Sequence, residues 1–224
     1  GRAAGRRCAA WLTPPQSRPM RSRALWALVA AANVAIYLLM VASTGRTEFT
    51  SRQALAWGAD FGPLTVGEGE WWRLLTATYL HGSFSHLLGN MICLWAWGRF
   101  VEMRLGAPRF LLAYTACGLV ASFASVSFNP DVVSLGASGA ILGMLGVMGG
   151  LRLKGDASVP ANVVFINAIY SIPLAVLSPQ VDWVAHAAGF AAGILAGMVL
   201  GRATPTYAPP PEEEEPTAPS GPWG

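Results

Sequence analysis

The chain holds three histidines, His81, His86 and His186, and each stands at or near the start of an apolar stretch. Asn90 and Ser138 share that setting. Ionisable and polar groups in membrane-length apolar runs are costly to bury and usually functional. Ser138 with His186 would supply a hydroxyl nucleophile and the base that activates it. His86 and Asn90 are four residues apart, so a helix puts them on one face, where both can donate hydrogen bonds to a developing oxyanion. The chemistry of such a set is acyl transfer through a serine.

The elements that must position these groups are read from composition first. Of 224 residues, 53% are hydrophobic and only 12% charged, about half the charged share of a soluble domain. With a mean hydropathy of +0.43, this places the chain in the membrane class. The fold expected is all-α and polytopic. Six apolar runs, 24–41, 86–103, 110–128, 135–151, 161–177 and 183–200, are each about as long as a bilayer span requires. Residues 44–71 form a long first loop whose Trp57, Trp71 and Trp72 suit a membrane interface. The domain expectation is a basic, disordered arm over 1–23, a membrane domain over 24–202 and a Pro- and Glu-rich disordered tail over 203–224. Met20 is an alternative start residue. The run at 24–41 is long for a signal-peptide core. Cys8, Cys93 and Cys117 form no CxxC or paired framework, so no metal site and no disulfide set is expected.

Charge gives the orientation. With the N-terminus inside, twelve of the Lys and Arg residues fall on the inner side, and Arg46, Arg52 and Arg73 fall outside. Both termini are then cytoplasmic, and the second, fourth and sixth runs start at the outer face. This accounts for the net charge of +3 without a nucleic-acid partner. It also sets His86, Asn90, Ser138 and His186 at one depth, about 5 to 10 Å below the outer surface.

Each residue has a plainer reading when taken singly. Ser138 lies in Gly136-Ala137-Ser138-Gly139, where small residues let backbones approach, and a serine there can serve packing alone. His186 lies three residues before Gly189, which opens a ladder with Gly193, Gly197 and Gly201. That ladder must pack on a neighbour, and Gly139, Gly143, Gly146 and Gly150 offer a matching face. A lone interhelical bond would also satisfy His186. His81 reads as a tie between loop and bundle, with Ser83 a possible N-cap. Asp182 is one turn from His186 and reads as interfacial, so a Ser-His dyad is expected and not a triad.

Taken together the residues resemble the rhomboid family of intramembrane serine proteases. The motifs are His81-x4-His86-x3-Asn90, Gly136-x-Ser138-Gly139, Ala185-His186-x2-Gly189 with its glycine ladder, and Trp72-Arg73 in the first loop; Glu102 and Arg104 also fit. The resemblance implies a six-helix bundle with an outward-opening, water-accessible cavity. Ser138 and His186 would be catalytic, and the Ser138 N–H, His86 and Asn90 would stabilise the oxyanion. His81, Arg73, Trp72, Gly136, Gly139 and Gly189 would lend structural support. It implies a fifth helix acting as a lateral gate, single-span transmembrane substrates, no metal and no cofactor, and a bacterial inner membrane as the setting. Leu142 stands where many members carry an aromatic ring stacked on the catalytic histidine. Two other classes compete: a non-catalytic relative that escorts membrane clients, and a small transporter, which would place polar groups near the midplane.

Overall fold

A computed structural model describes residues 24–171 and 181–201. The expected arm at 1–23, the tail at 203–224 and the end of the fifth apolar run at 172–177 lie outside the described residues. Among those described, secondary structure is helical apart from two isolated bridges, Glu48 with Ser83 and Asp60 with Ser134. The helices are α1 (Leu25–Thr44), α2 (Ser51–Ala56), α3 (Arg73–Thr76), α4 (Phe84–Cys93), α5 (Arg99–Leu105), α6 (Ala107–Phe128), α7 (Ser138–Leu153), α8 (Ala161–Ser171) and α9 (Trp183–Leu200).

Three of these, α1, α6 and α9, are long and apolar enough to cross a membrane. Their outward faces carry Leu28, Leu38, Leu39, Leu112, Phe123, Leu195 and Val199, all exposed. Water would not tolerate so broad an apolar belt, whereas lipid requires one.

At the centre stands α7, buried along almost its whole length. Its glycines decide what it packs against. A Cβ at Gly193 would lie 2.0 Å from the Gly143 carbonyl oxygen, one at Gly189 2.2 Å from the Gly139 carbonyl oxygen, and one at Gly146 2.1 Å from the Phe190 carbonyl oxygen. The backbones of α7 and α9 are therefore in direct contact, and only glycine fits at the crossing. On the other side of α7, a Cβ at Gly143 would lie 2.3 Å from Cys117 Cβ of α6. Phe110, Tyr114, Leu94, Val101, Met144 and Leu145 fill the remaining interior. In lipid, this close packing holds helices together where the hydrophobic effect cannot.

Several boundaries differ from those read in the sequence, each for a local reason. The second apolar run is not one uniform helix. A π-helical segment, Leu94–Gly98, joins α4 to α5 without a break. The third starts earlier, because Pro108 in its first turn favours helix initiation. The fourth starts three residues later than expected, at Ser138. Gly136 has φ +130 and donates its N–H to the Ala77 carbonyl at 2.9 Å, which holds it out of the helix. The first run continues to Thr44, where Gly45 closes it in a left-handed conformation.

The first loop is built, not slack. Arg73 is buried, donates from Nε to Glu70 at 2.5 Å, and from one guanidinium nitrogen to the carbonyls of Leu55 at 2.9 Å and Ala59 at 3.0 Å. Its guanidinium also sits 4.6 Å from the Trp72 ring centroid. The loop then grips the segment leading into α7. Asp60 and Ser134 exchange backbone bonds at 2.9 Å, and Gly62 donates to the Pro130 carbonyl at 3.0 Å.

Candidate active site

Ser138 is the first residue of α7. Its N–H belongs to the opening turn, which has no intrahelical partners, and the positive end of the helix dipole lies there. His186 is in the first turn of α9, one residue beyond Ala185, whose N–H is capped by the Asp182 carboxylate at 3.1 Å. The glycine contact between α7 and α9 runs directly below both residues. It brings Ser138 Oγ to 2.9 Å from His186 Nε2.

The other nitrogen of His186, Nδ1, faces the Ser171 carbonyl oxygen of α8 at 3.3 Å. No side-chain signal could have disclosed this partner, because it is a backbone group. Leu142 is buried in the core, 4% exposed. Asp182 accepts from the hydroxyls of Ser125 and of Ser134, the latter at 2.9 Å, and from Asn129 Nδ2 at 3.5 Å, in addition to capping α9. It thereby joins α9 to the end of α6 and the following loop. The sequence alone places Asp182 at the interface and shows none of these bonds.

The remaining polar residues come from α4 and the turn before it. Ser83 caps α4 by accepting from the His86 N–H at 3.2 Å. His81 is fully buried, and its Nε2 lies 2.9 Å from Asn90 Nδ2. The His81 and His86 rings meet edge to face, with centroids 5.1 Å apart. The His86 ring in turn lies against Gly136. A Cβ there would be 2.9 Å from His86 Nε2 and 3.7 Å from Ser138 Oγ. Gly139 is equally hemmed in, since its Cβ would fall 2.5 Å from Ala121 Cβ. All five polar residues singled out in the sequence therefore gather at one end of the bundle. Ser138 and His186 are hydrogen-bonded, His81 and Asn90 are hydrogen-bonded, and His86 sits between the pairs. Trp72 and Arg73 lie in the first loop, where Arg73 bonds to Glu70, Leu55 and Ala59.

The Rhomboid domain family matches residues 68–203, more than half of the chain and all of the polar cluster. The chain belongs to the rhomboid family. Rhomboid protease GluP of Bacillus subtilis (strain 168) is 34% identical over 178 residues, which are 78% of this chain and 34% of that protein. RHOMBOID-like protein 5 of Arabidopsis thaliana is 36% identical over 157 residues, 65% of this chain and 51% of that protein. RHOMBOID-like protein 1 of the same plant is 37% identical over 142 residues, 61% of this chain and 36% of that protein. The chain thus spans about a third to a half of the length of these relatives. As a rhomboid with an exposed apolar belt, it is an integral membrane protein.

Proposed function

We propose that this rhomboid is an intramembrane serine endopeptidase working through a Ser138–His186 dyad. The observation that carries the proposal is the 2.9 Å contact between Ser138 Oγ and His186 Nε2 at the abutting ends of α7 and α9. In this reading Ser138 Oγ attacks the scissile carbonyl while His186 Nε2 takes its proton, then returns it to the leaving amine. The carbonyl oxygen becomes an oxyanion beside the first turn of α7. The Ser138 N–H, His86 and Asn90 are its donors, each worth about 3 to 4 kcal/mol where such donors have been removed singly. Water then hydrolyses the acyl-enzyme, with His186 again serving as base.

The setting follows from the same residues. The chain crosses the membrane six times as one domain over 24–202, with both ends cytoplasmic. The Lys and Arg distribution supports that orientation. The dyad opens to the outer side, α8 gates lateral entry, and the substrates are single-span membrane proteins. The bacterial cell membrane is the setting, as supported by the 78% of this chain that aligns with a Bacillus protein. A serine-directed fluorophosphonate probe tests the nucleophile. Labelling of the wild type that disappears in both Ser138→Ala and His186→Ala is expected. Labelling that persists in Ser138→Ala overturns the assignment.

A further inference from the structure

A groove of about 590 Å³ opens between α7, α8 and α9. It reaches the end of α7 opposite the dyad, where Arg152 on its rim is fourteen residues beyond Ser138, about 21 Å along the helix. Its walls are Val164, Ala168 and Ile169 of α8 with Phe190 and Ile194 of α9. Among the described residues, Arg152 is the single charged group on its lining. Its guanidinium is exposed and forms no ion pair among the described residues. The nearby acid, Asp156, is already paired with Arg104.

We propose that this groove binds an anionic phospholipid, one acyl chain lying along α8 and α9 and the phosphate meeting Arg152. The occupant follows from the amphipathic pairing of the lining. A hydrocarbon slot without polar partners cannot hold ordered water, because a bound water needs several hydrogen-bond partners. A bilayer supplies hydrocarbon instead. A lone cation at the mouth of such a slot selects a negatively charged headgroup over a zwitterionic one. Gly149 forms part of the slot floor. A Cβ there would have Val164 Cγ1 at 3.5 Å and Ile194 Cγ1 at 3.7 Å as neighbours, ordinary contacts, so a longer side chain would project into the space the acyl chain takes.

The test is native mass spectrometry of the full chain released from mild detergent after addition of phosphatidylglycerol or phosphatidylcholine. The wild type is expected to retain phosphatidylglycerol preferentially. Arg152→Gln should lower that retention about fivefold, the worth of one juxtamembrane cation, and leave phosphatidylcholine unaffected. Gly149→Leu should lower retention of both lipids. Equal retention of the two lipids by the wild type would overturn the proposal. So would phosphatidylglycerol retention unchanged in both variants, which would assign the groove to another occupant.

Discussion

His186 Nδ1 lies 3.3 Å from the carbonyl oxygen of Ser171, so the imidazole spans from α8 on one nitrogen to Ser138 on the other. A carbonyl only accepts, which places the ring proton on Nδ1 and leaves Nε2 bare to receive the serine proton. This is the orienting task that a carboxylate performs in a triad. Because the acceptor belongs to α8, the tautomer of the histidine is tied to the position of that helix against α9.

Asp182 is therefore expected to matter for stability and not for chemistry. Its carboxylate caps α9 and collects Ser125, Ser134 and Asn129. Asp182→Asn keeps one acceptor and loses the charge at the helix start, so it should cost about 1 to 2 kcal/mol of stability. Cleavage by the folded fraction should stay within about threefold of the wild type. A loss near 10⁴-fold, the cost of the equivalent change in a triad, would make Asp182 a third catalytic member.

Much of this site was legible in the sequence, because membrane helices restrict where polar residues can go. His81, His86, Asn90, Ser138 and His186 stood out against apolar surroundings, and the glycine ladders of α7 and α9 disclosed which helices touch. What escaped was carried by backbone geometry. The Ser171 carbonyl has no residue-type signal, and the π-helical turn at Leu94–Gly98 leaves no mark in hydropathy. The internal order of the first loop also escaped, because Arg73 bonds to carbonyls that any residue would supply.

Under the proposed mechanism, in which Asn90 is an oxyanion donor, the His81–Asn90 contact at 2.9 Å gives His81 a positioning role. Asn90→Ala should slow cleavage by an amount worth about 3 to 4 kcal/mol. His81→Ala should slow it less, lowering kcat with KM unchanged, because Asn90 remains but is less firmly held. Rate measurements on a transmembrane substrate check this. A larger loss in His81→Ala than in Asn90→Ala would place His81 at the reacting atoms instead.

Two glycines on α7 and α9 should respond oppositely to the same change. A methyl at Gly193 would meet the Gly143 carbonyl oxygen at 2.0 Å, whereas one at Gly149 meets nothing closer than 3.5 Å. Gly193→Ala should therefore destabilise the bundle by about 1 to 3 kcal/mol through overpacking. Gly149→Ala should be neutral or slightly stabilising, since alanine is the better helix former. Denaturant titration monitored by circular dichroism separates the two, and equal effects would contradict the packing described.

Asp60 gives a pH dependence. Burial pushes its carboxyl up from an ordinary 3.8 to about 6, with the Asp182 charge adding to the rise, while the Thr65 hydroxyl, the Phe61 N–H and Arg73 oppose it. Its Oδ2 has no hydrogen-bond partner among the described residues. The folded state thus holds the proton more tightly than the unfolded chain. The resulting stability is full below about pH 4 and is lost as pH rises through about 6, with a span of about 3 kcal/mol. Asp60→Asn should flatten the stability profile between pH 4 and pH 6. An unchanged slope in melts across that window would show that Asp60 does not titrate there.

In the proposed mechanism the contact between Ser138 Oγ and His186 Nε2 is a working nucleophile and base. Cleavage of a single-span model substrate by purified protein in detergent tests it most directly. Wild type is expected to cut within the transmembrane segment, and Ser138→Ala and His186→Ala are each expected to abolish cutting while keeping the wild-type helix content and melting. Full cleavage by either variant would contradict the dyad.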